Sequence, residues 1–220
     1  MVFLLILADR AMPLQNRVTP DGEIIAHAAR GTLMGNRGGA FHRDDQTLGK
    51  RRWASRQWIA CLLSFKNRHR DVMQPRRYTE LFFLDEATAL AAGHRPCFEC
   101  RRGDALAFAE HWAQGHGGAD RASAGAMDRI LHDERLTAHN HKRTFRAALA
   151  TLPPGTMVRW HGRAALVTGN ALRMWTPEGY AEEARPPPAT ILDVLTPPTV
   201  VEVIGRGYTP MLHETAIRRL

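Results

Sequence analysis

The chain holds three cysteines, and two of them stand as Cys97-Phe98-Glu99-Cys100, between Gly93-His94-Arg95-Pro96 and Arg101-Arg102. Two thiolates at this spacing reach one metal ion from a single tight turn, with Zn–S bonds of about 2.3 Å. Pro96 fixes its own φ and donates no backbone hydrogen bond, which suits a rigid knuckle. The rival readings are a redox pair and a metal-free turn of reduced thiols. A thioredoxin-like pair follows a strand and opens a helix, whereas here a helix is expected before the pair and a cationic turn around it, so zinc is favoured. Tetrahedral closure asks for two further ligands. Cys61 is the first candidate, its alternative being a buried core thiol. His42, His69 and His94 compete for the fourth place. His42 ends a glycine-rich stretch able to fold over the site, and it is taken as the ligand.

Other polar groups invite chemistry with less support. His139-Asn140-His141 is contiguous, whereas HNH nucleases disperse their three residues around one metal, so a polar cluster at a helix end is expected. His132, Asp133, Glu134 and His139 form a looser candidate for a second metal site, although adjacent residues point apart on a helix. Glu80, Asp85, Glu86, Asp133 and Glu134 offer metal ligands or a general base, without a diagnostic spacing.

Charge narrows the partner. The net charge is +8, and residues 43–77 carry ten basic residues against three acids, nearly the whole excess. A concentrated basic patch is the footprint of a polyanion partner, the alternative being a solvated surface. Arg predominates, and guanidinium forks match phosphate oxygens bidentately. Arg51, Arg52, Arg56, Arg68, Arg70, Arg76, Arg77, Arg101 and Arg102 are the expected phosphate contacts. Trp53 and Trp58 stand among them and either stack on bases or pack in the core. Lys142-Arg143-Thr144-Phe145-Arg146 is a second cationic element with an aromatic inside it.

These residues need elements to position them. An apolar content of 44% is that of a globular protein. Strands are expected over 23–26, 58–65 and 78–84, with residues 35–39 a flexible glycine loop. Asp85 reads as an N-cap for a helix over 86–92, which Gly93 closes. A second helix is capped by Asp104 and carries Leu106, Phe108, Ala109 and Trp112 on one side; a third covers 124–135. Beyond Pro153-Pro154-Gly155, short strands are expected at 157–160, 164–167, 172–175 and 200–204, forming a small barrel-like sheet. The class is α+β. A zinc-knuckle region with a basic surface spans 1–151 and a β-rich unit spans 152–220. The apolar run 2–7 is too short for a membrane span or a signal core. With no disulfide framework, a reducing cytoplasmic setting is expected, with no membrane partner.

Residues 82–101 carry a family resemblance. Phe82-Phe83-Leu84-Asp85-Glu86-Ala87-Thr88-Ala89-Leu90-Ala91-Ala92-Gly93-His94-Arg95-Pro96-Cys97-Phe98-Glu99-Cys100-Arg101 resembles the second half of the Ada-type zinc-binding domain of DNA phosphotriester methyltransferases. In that family an aromatic strand leads into an Ala-rich helix and then Gly-(aromatic)-Arg-Pro-Cys-x-x-Cys. Four cysteines hold zinc there, and one of the first pair accepts a methyl group. Cys97 and Cys100 match the second pair; upstream stands Cys61, with Phe65 four residues later. The resemblance implies a zinc knuckle in a nucleic-acid context. The resulting expectation is a zinc-stabilised nucleic-acid-binding protein, for DNA rather than RNA, acting in damage response or repair. The alternatives are a metal-dependent DNA nuclease or other repair enzyme, a methyl acceptor at Cys61, and an interaction module built on the C-terminal half.

Overall fold

The structure is a computed structural model describing residues 12–67, 71–115 and 121–217. The apolar run 2–7 and the candidates Arg68, His69 and Arg70 lie outside the described residues. The first sheet contains β1 (Gln15–Val18), β2 (Ile24–Ala26), β3 (Leu33–Arg37), β4 (Trp58–Leu62), β5 (Leu81–Phe83) and β6 (Arg95–Pro96), in the order β2-β1-β5-β3-β4-β6. The second contains β7 (Phe145–Ala148), β8 (Met157–Trp160), β9 (Arg163–Thr168), β10 (Ala171–Thr176), β11 (Gly179–Ala184) and β12 (Ile191–Val194), in the order β11-β10-β9-β8-β12-β7. The helices are α1 (Glu86–Ala91), α2 (Arg102–Gly115), α3 (Ala124–Arg135) and α4 (Pro198–Gly205). The class is α+β, as the sequence predicts.

α1 is the hub. Asp85 caps it, its carboxylate accepting from the Thr88 N–H at 2.9 Å, and Gly93 follows its end at φ +87°. Every residue of α1 is buried, and its alanines let other chain segments approach closely. Ala89 packs with Leu33, Ala60 and Phe83 of the first sheet. Ala87 and Ala91 pack with Met157, Leu166 and Tyr180 of the second. Leu90 joins Phe108 and Trp112 of α2, Met127 and Leu131 of α3, and Val203 and Ile204 of α4. Burial of each large apolar side chain contributes about 1.5–3 kcal/mol. The cores of both sheets and the helical layer therefore converge on one six-residue helix.

Three expectations are corrected. Residues 35–37 of the expected glycine loop belong to β3, hydrogen-bonded between β4 and β5. Gly35 belongs there because a Cβ would lie 2.1 Å from the Ile59 carbonyl oxygen and 2.8 Å from the Phe83 ring. The β-branched run 200–204 is helical: Pro198 opens α4 at its first turn, and Val200, Val203 and Ile204 recur at helical spacing to bury one face. The second sheet is not a barrel. β7 and β11 remain its edges, and the sheet packs against α1 instead of closing on itself. Its first strand, β7, begins at residue 145 and pairs with β12.

Candidate metal centre and basic face

Period-two alternation divides β4. Trp58 and Ala60 are buried, while Ile59 and Cys61 face the other side of the sheet. β6 runs parallel to β4, with Ile59 opposite Arg95 and Ala60 opposite Pro96. The Cys97 N–H donates to the Ala60 carbonyl at 3.0 Å, so Cys97 emerges from β6 beside Cys61. The chain then turns, the Arg101 N–H donating to the Cys97 carbonyl at 3.0 Å, and this brings Cys100 back. The three sulfurs lie within 4.8 Å of one another. The Cys-x-x-Cys pair thus follows a two-residue strand and precedes α2, the setting of a redox pair. The third thiol makes it a three-sulfur cluster instead.

Backbone amides point at this sulfur. The Glu99 N–H donates to Cys97 Sγ and the Leu62 N–H to Cys100 Sγ, both at 3.4 Å. Hydrogen bonds from the Cys100 and Cys61 thiols pull the Cys97 thiol well below its ordinary range. The same sharing with Cys100 and Cys97, followed by burial, drives Cys61 upward. A bound cation allows all three to be thiolates, so the donor set fits a soft-ligand metal site. Cys61 and Cys100 are half-buried on a groove of about 440 Å³, walled by Met34, Asn36, Ile59, Tyr78 and Phe82.

His42 is not a ligand. Its Nδ1 pairs with Thr79 Oγ1 at 2.8 Å and its Nε2 with the Gln74 carbonyl at 3.1 Å, so both ring nitrogens are engaged away from the sulfurs. His94 is buried on the opposite face, 4.6 Å from the Phe83 ring and 5.1 Å from the Trp58 ring, centre to centre. Among the described residues no fourth His, Cys, Asp or Glu joins the cluster.

The basic residues separate. Arg51, Arg56, Arg76, Arg77 and Arg102 are exposed and Arg52 is half-buried. Arg101 is corrected from a phosphate contact to an internal tie. Its side chain is 2% exposed, with Nη2 2.8 Å from Glu86 Oε2 and 2.8 Å from Asp104 Oδ2. Asp104 is not the cap expected of it, because α2 begins at Arg102 and Asp104 lies inside its first turn. Asp85 and Glu86, offered as ligands or a base, are structural acceptors: Asp85 takes the Tyr180 hydroxyl at 2.9 Å and Glu86 the Tyr208 hydroxyl at 2.6 Å. Glu134 accepts from the Thr199 N–H at 3.1 Å, and His132 Nδ1 lies 3.0 Å from Arg135 Nη2. No second metal cluster forms among the described residues. His139 and Asn140 sit in an exposed turn with Asn140 at φ +60°.

Sequence reasoning missed the opposite face. Trp58 is core, and Arg37 and Arg135 lie over its indole, at 3.9 and 3.8 Å from the ring centre. Lys142, read as part of a second cationic element, donates its Nζ to the Ala91 carbonyl. The available signal was Arg37 itself, in step with Leu33 and Gly35 on one face of an alternating run. Compared with known proteins, the chain matches no family model, no curated sequence and no solved structure.

Proposed function

We propose that the protein is a zinc-bearing nucleic-acid-binding protein, for DNA in preference to RNA, in which the metal fixes the junction of β4, β6 and α2. The observation that carries this reading is the convergence of Cys61 with Cys97 and Cys100 beside an arginine-rich segment. Tetrahedral Zn–S bonds of about 2.3 Å put sulfurs roughly 3.8 Å apart, which a cluster spanning at most 4.8 Å accommodates. Cys61, Cys97 and Cys100 would hold the ion, and the ion supplies charge neutralisation and cross-linking of three segments. The exposed Arg51, Arg56, Arg76, Arg77 and Arg102 present guanidiniums suited to phosphate oxygens.

Elemental mass spectrometry of untagged protein tests the metal: about one zinc per chain, lost in Cys97→Ser, is expected. Binding to a short duplex should fall about tenfold or more between about 50 and 200 mM salt, because neutralised phosphates release counterions. An affinity indifferent to salt would overturn the nucleic-acid half while leaving the zinc half standing.

One observation favours a second reading. Cys61 faces the 440 Å³ groove, which supports the reading that a metal-bound Cys61 thiolate accepts an alkyl group, as the family resemblance implies. Methyl uptake from alkylated DNA that persists in Cys61→Ser would rule this out.

A further inference from the structure

The face of the first sheet away from the cysteines holds a cavity of about 310 Å³, at the small end of ligand pockets, which span about 300–1,000 Å³. Arg37, Arg135 and Lys142 are built into its wall, with Lys50, Arg51 and Arg52 completing a lining of six basic side chains. Two acids, Asp21 and Glu23, also reach it. Asp21 is ion-paired with Arg159, and Glu23 is exposed.

The two deep guanidiniums are unusual within this molecule. Other buried arginines meet carboxylates: Arg95 holds Asp128 at 2.8 Å, Arg101 holds Glu86 at 2.8 Å and Arg173 holds Glu183 at 3.2 Å. Arg37 and Arg135 are 2% and 1% exposed, and neither enters an ion pair among the described residues. Arg37 donates to the carbonyls of Gly22 (2.8 Å) and Arg52 (3.3 Å) and to His94 Nε2 (3.4 Å). Arg135 donates to the carbonyls of Gly93 and Arg56, both at 2.9 Å, and its Nη2 also lies 3.0 Å from His132 Nδ1. Its Nε has no hydrogen-bond partner among the described residues. Each guanidinium has five N–H donors, so both retain unused ones. A buried charge without a paired carboxylate is costly, and a fold that pairs its other buried arginines sets these two, unpaired, in the wall of one cavity.

We propose that this cavity is an anion site that takes a phosphomonoester group. Two guanidiniums and an ammonium converge, and a phosphate offers three acceptor oxygens and a charge of nearly −2. A planar carboxylate with one charge would leave more of these donors unmet. Trp53, half-buried in the lining and edge-on to His132 at 5.0 Å, supplies a ring surface for the moiety bearing the phosphate. Burial pulls Arg37 down to about 9, Arg135 to about 8 and Lys142 to about 7, the direction a bound anion reverses. The inference goes beyond the function proposed above, since it requires neither the metal nor binding along a strand. The phosphate belongs either to a free nucleotide or to the 5′ end of a nucleic-acid strand.

Isothermal titration calorimetry at low ionic strength separates these outcomes. The probes are inorganic phosphate, adenosine monophosphate, and one oligonucleotide carrying either a 5′-phosphate or a 5′-hydroxyl. Arg135 variants risk unfolding, so the proteins compared are wild type, Lys142→Met and the rim variant Arg51→Ala, with circular dichroism as the folding control. One phosphate-bearing probe per chain is expected, weakened about tenfold or more in at least one variant. A 5′-phosphate preference of about tenfold or more assigns the site to strand ends. Nucleotide binding with no such preference assigns it to free nucleotides. Failure of phosphate and nucleotide to bind, with both oligonucleotides bound equally, overturns the cavity proposal and leaves the nucleic-acid reading intact. Phosphate binding unchanged in both variants overturns it as well.

Discussion

His94 shows how one side chain reports its surroundings. It is buried between Trp58 and Phe83, and burial, then the charges of Arg37 and Arg135, hold its imidazole well below the ordinary range of 6.5. The folded protein therefore keeps His94 neutral where the unfolded chain takes a proton. Its contribution is complete above about pH 6.5 and is lost as the pH falls below it. Between about pH 7.5 and 5.5 this removes about 1.4 kcal/mol of stability. Urea midpoints at the two pH values should differ accordingly, with a smaller difference in His94→Gln. Arg101 makes the complementary case. Arg101→Met leaves the Glu86 carboxylate buried without its counter-charge and should cost about 3–5 kcal/mol, measured by the same denaturation. Both residues stand beside the knuckle in sequence, yet neither is a ligand or a surface contact. Sequence marks residue type, and partners decide what that type does.

At the scale of elements, local rules were reliable where the signal lay within one turn. The Asp85 cap, the Gly93 close and the bounds of α3 are legible because each rests on groups three or four residues apart. β3 and α4 were not. β3 sets Gly35, Asn36 and Arg37 after Leu33 and Met34, and it becomes a strand because β4 and β5 pair with it on both sides. α4 carries β-branched residues, but Pro198 and packing beside Tyr208 and the α2 residue Trp112 make it a helix. Gly35→Ala tests how tightly β3 is held. The added methyl meets the Ile59 carbonyl at 2.1 Å, so a loss of about 1–3 kcal/mol is expected from overpacking, and zinc content should fall with it if β4 shifts and carries Cys61 away.

The whole molecule shares one hub. α1 touches the first sheet, the second sheet and the helical layer through different residues of a single short helix. A chain ended before β7, at residue 144, would strip α1 of Met157, Leu166, Tyr180 and Leu195. Such a fragment should show no cooperative thermal transition, whereas the complete chain should unfold in one. Among the described residues no helix is long and apolar enough to cross a membrane.

By itself the sequence determined the α+β class, the tight turn that carries Cys97 and Cys100, the caps of α1 and the excess of arginine, since composition and contacts within a few residues carry these. Only the tertiary structure decided that Cys61 joins the knuckle while His42 and His94 do not. It alone also decided that Arg101 is an internal ion pair and that Arg37, Arg135 and Lys142 gather around one cavity. The physical reason is range. The parallel pairing of β4 with β6 sets residues 61 and 97 side by side, and α3 reaches back to lay Arg135 on Trp58. Pairings across more than thirty residues leave no mark in local spacing.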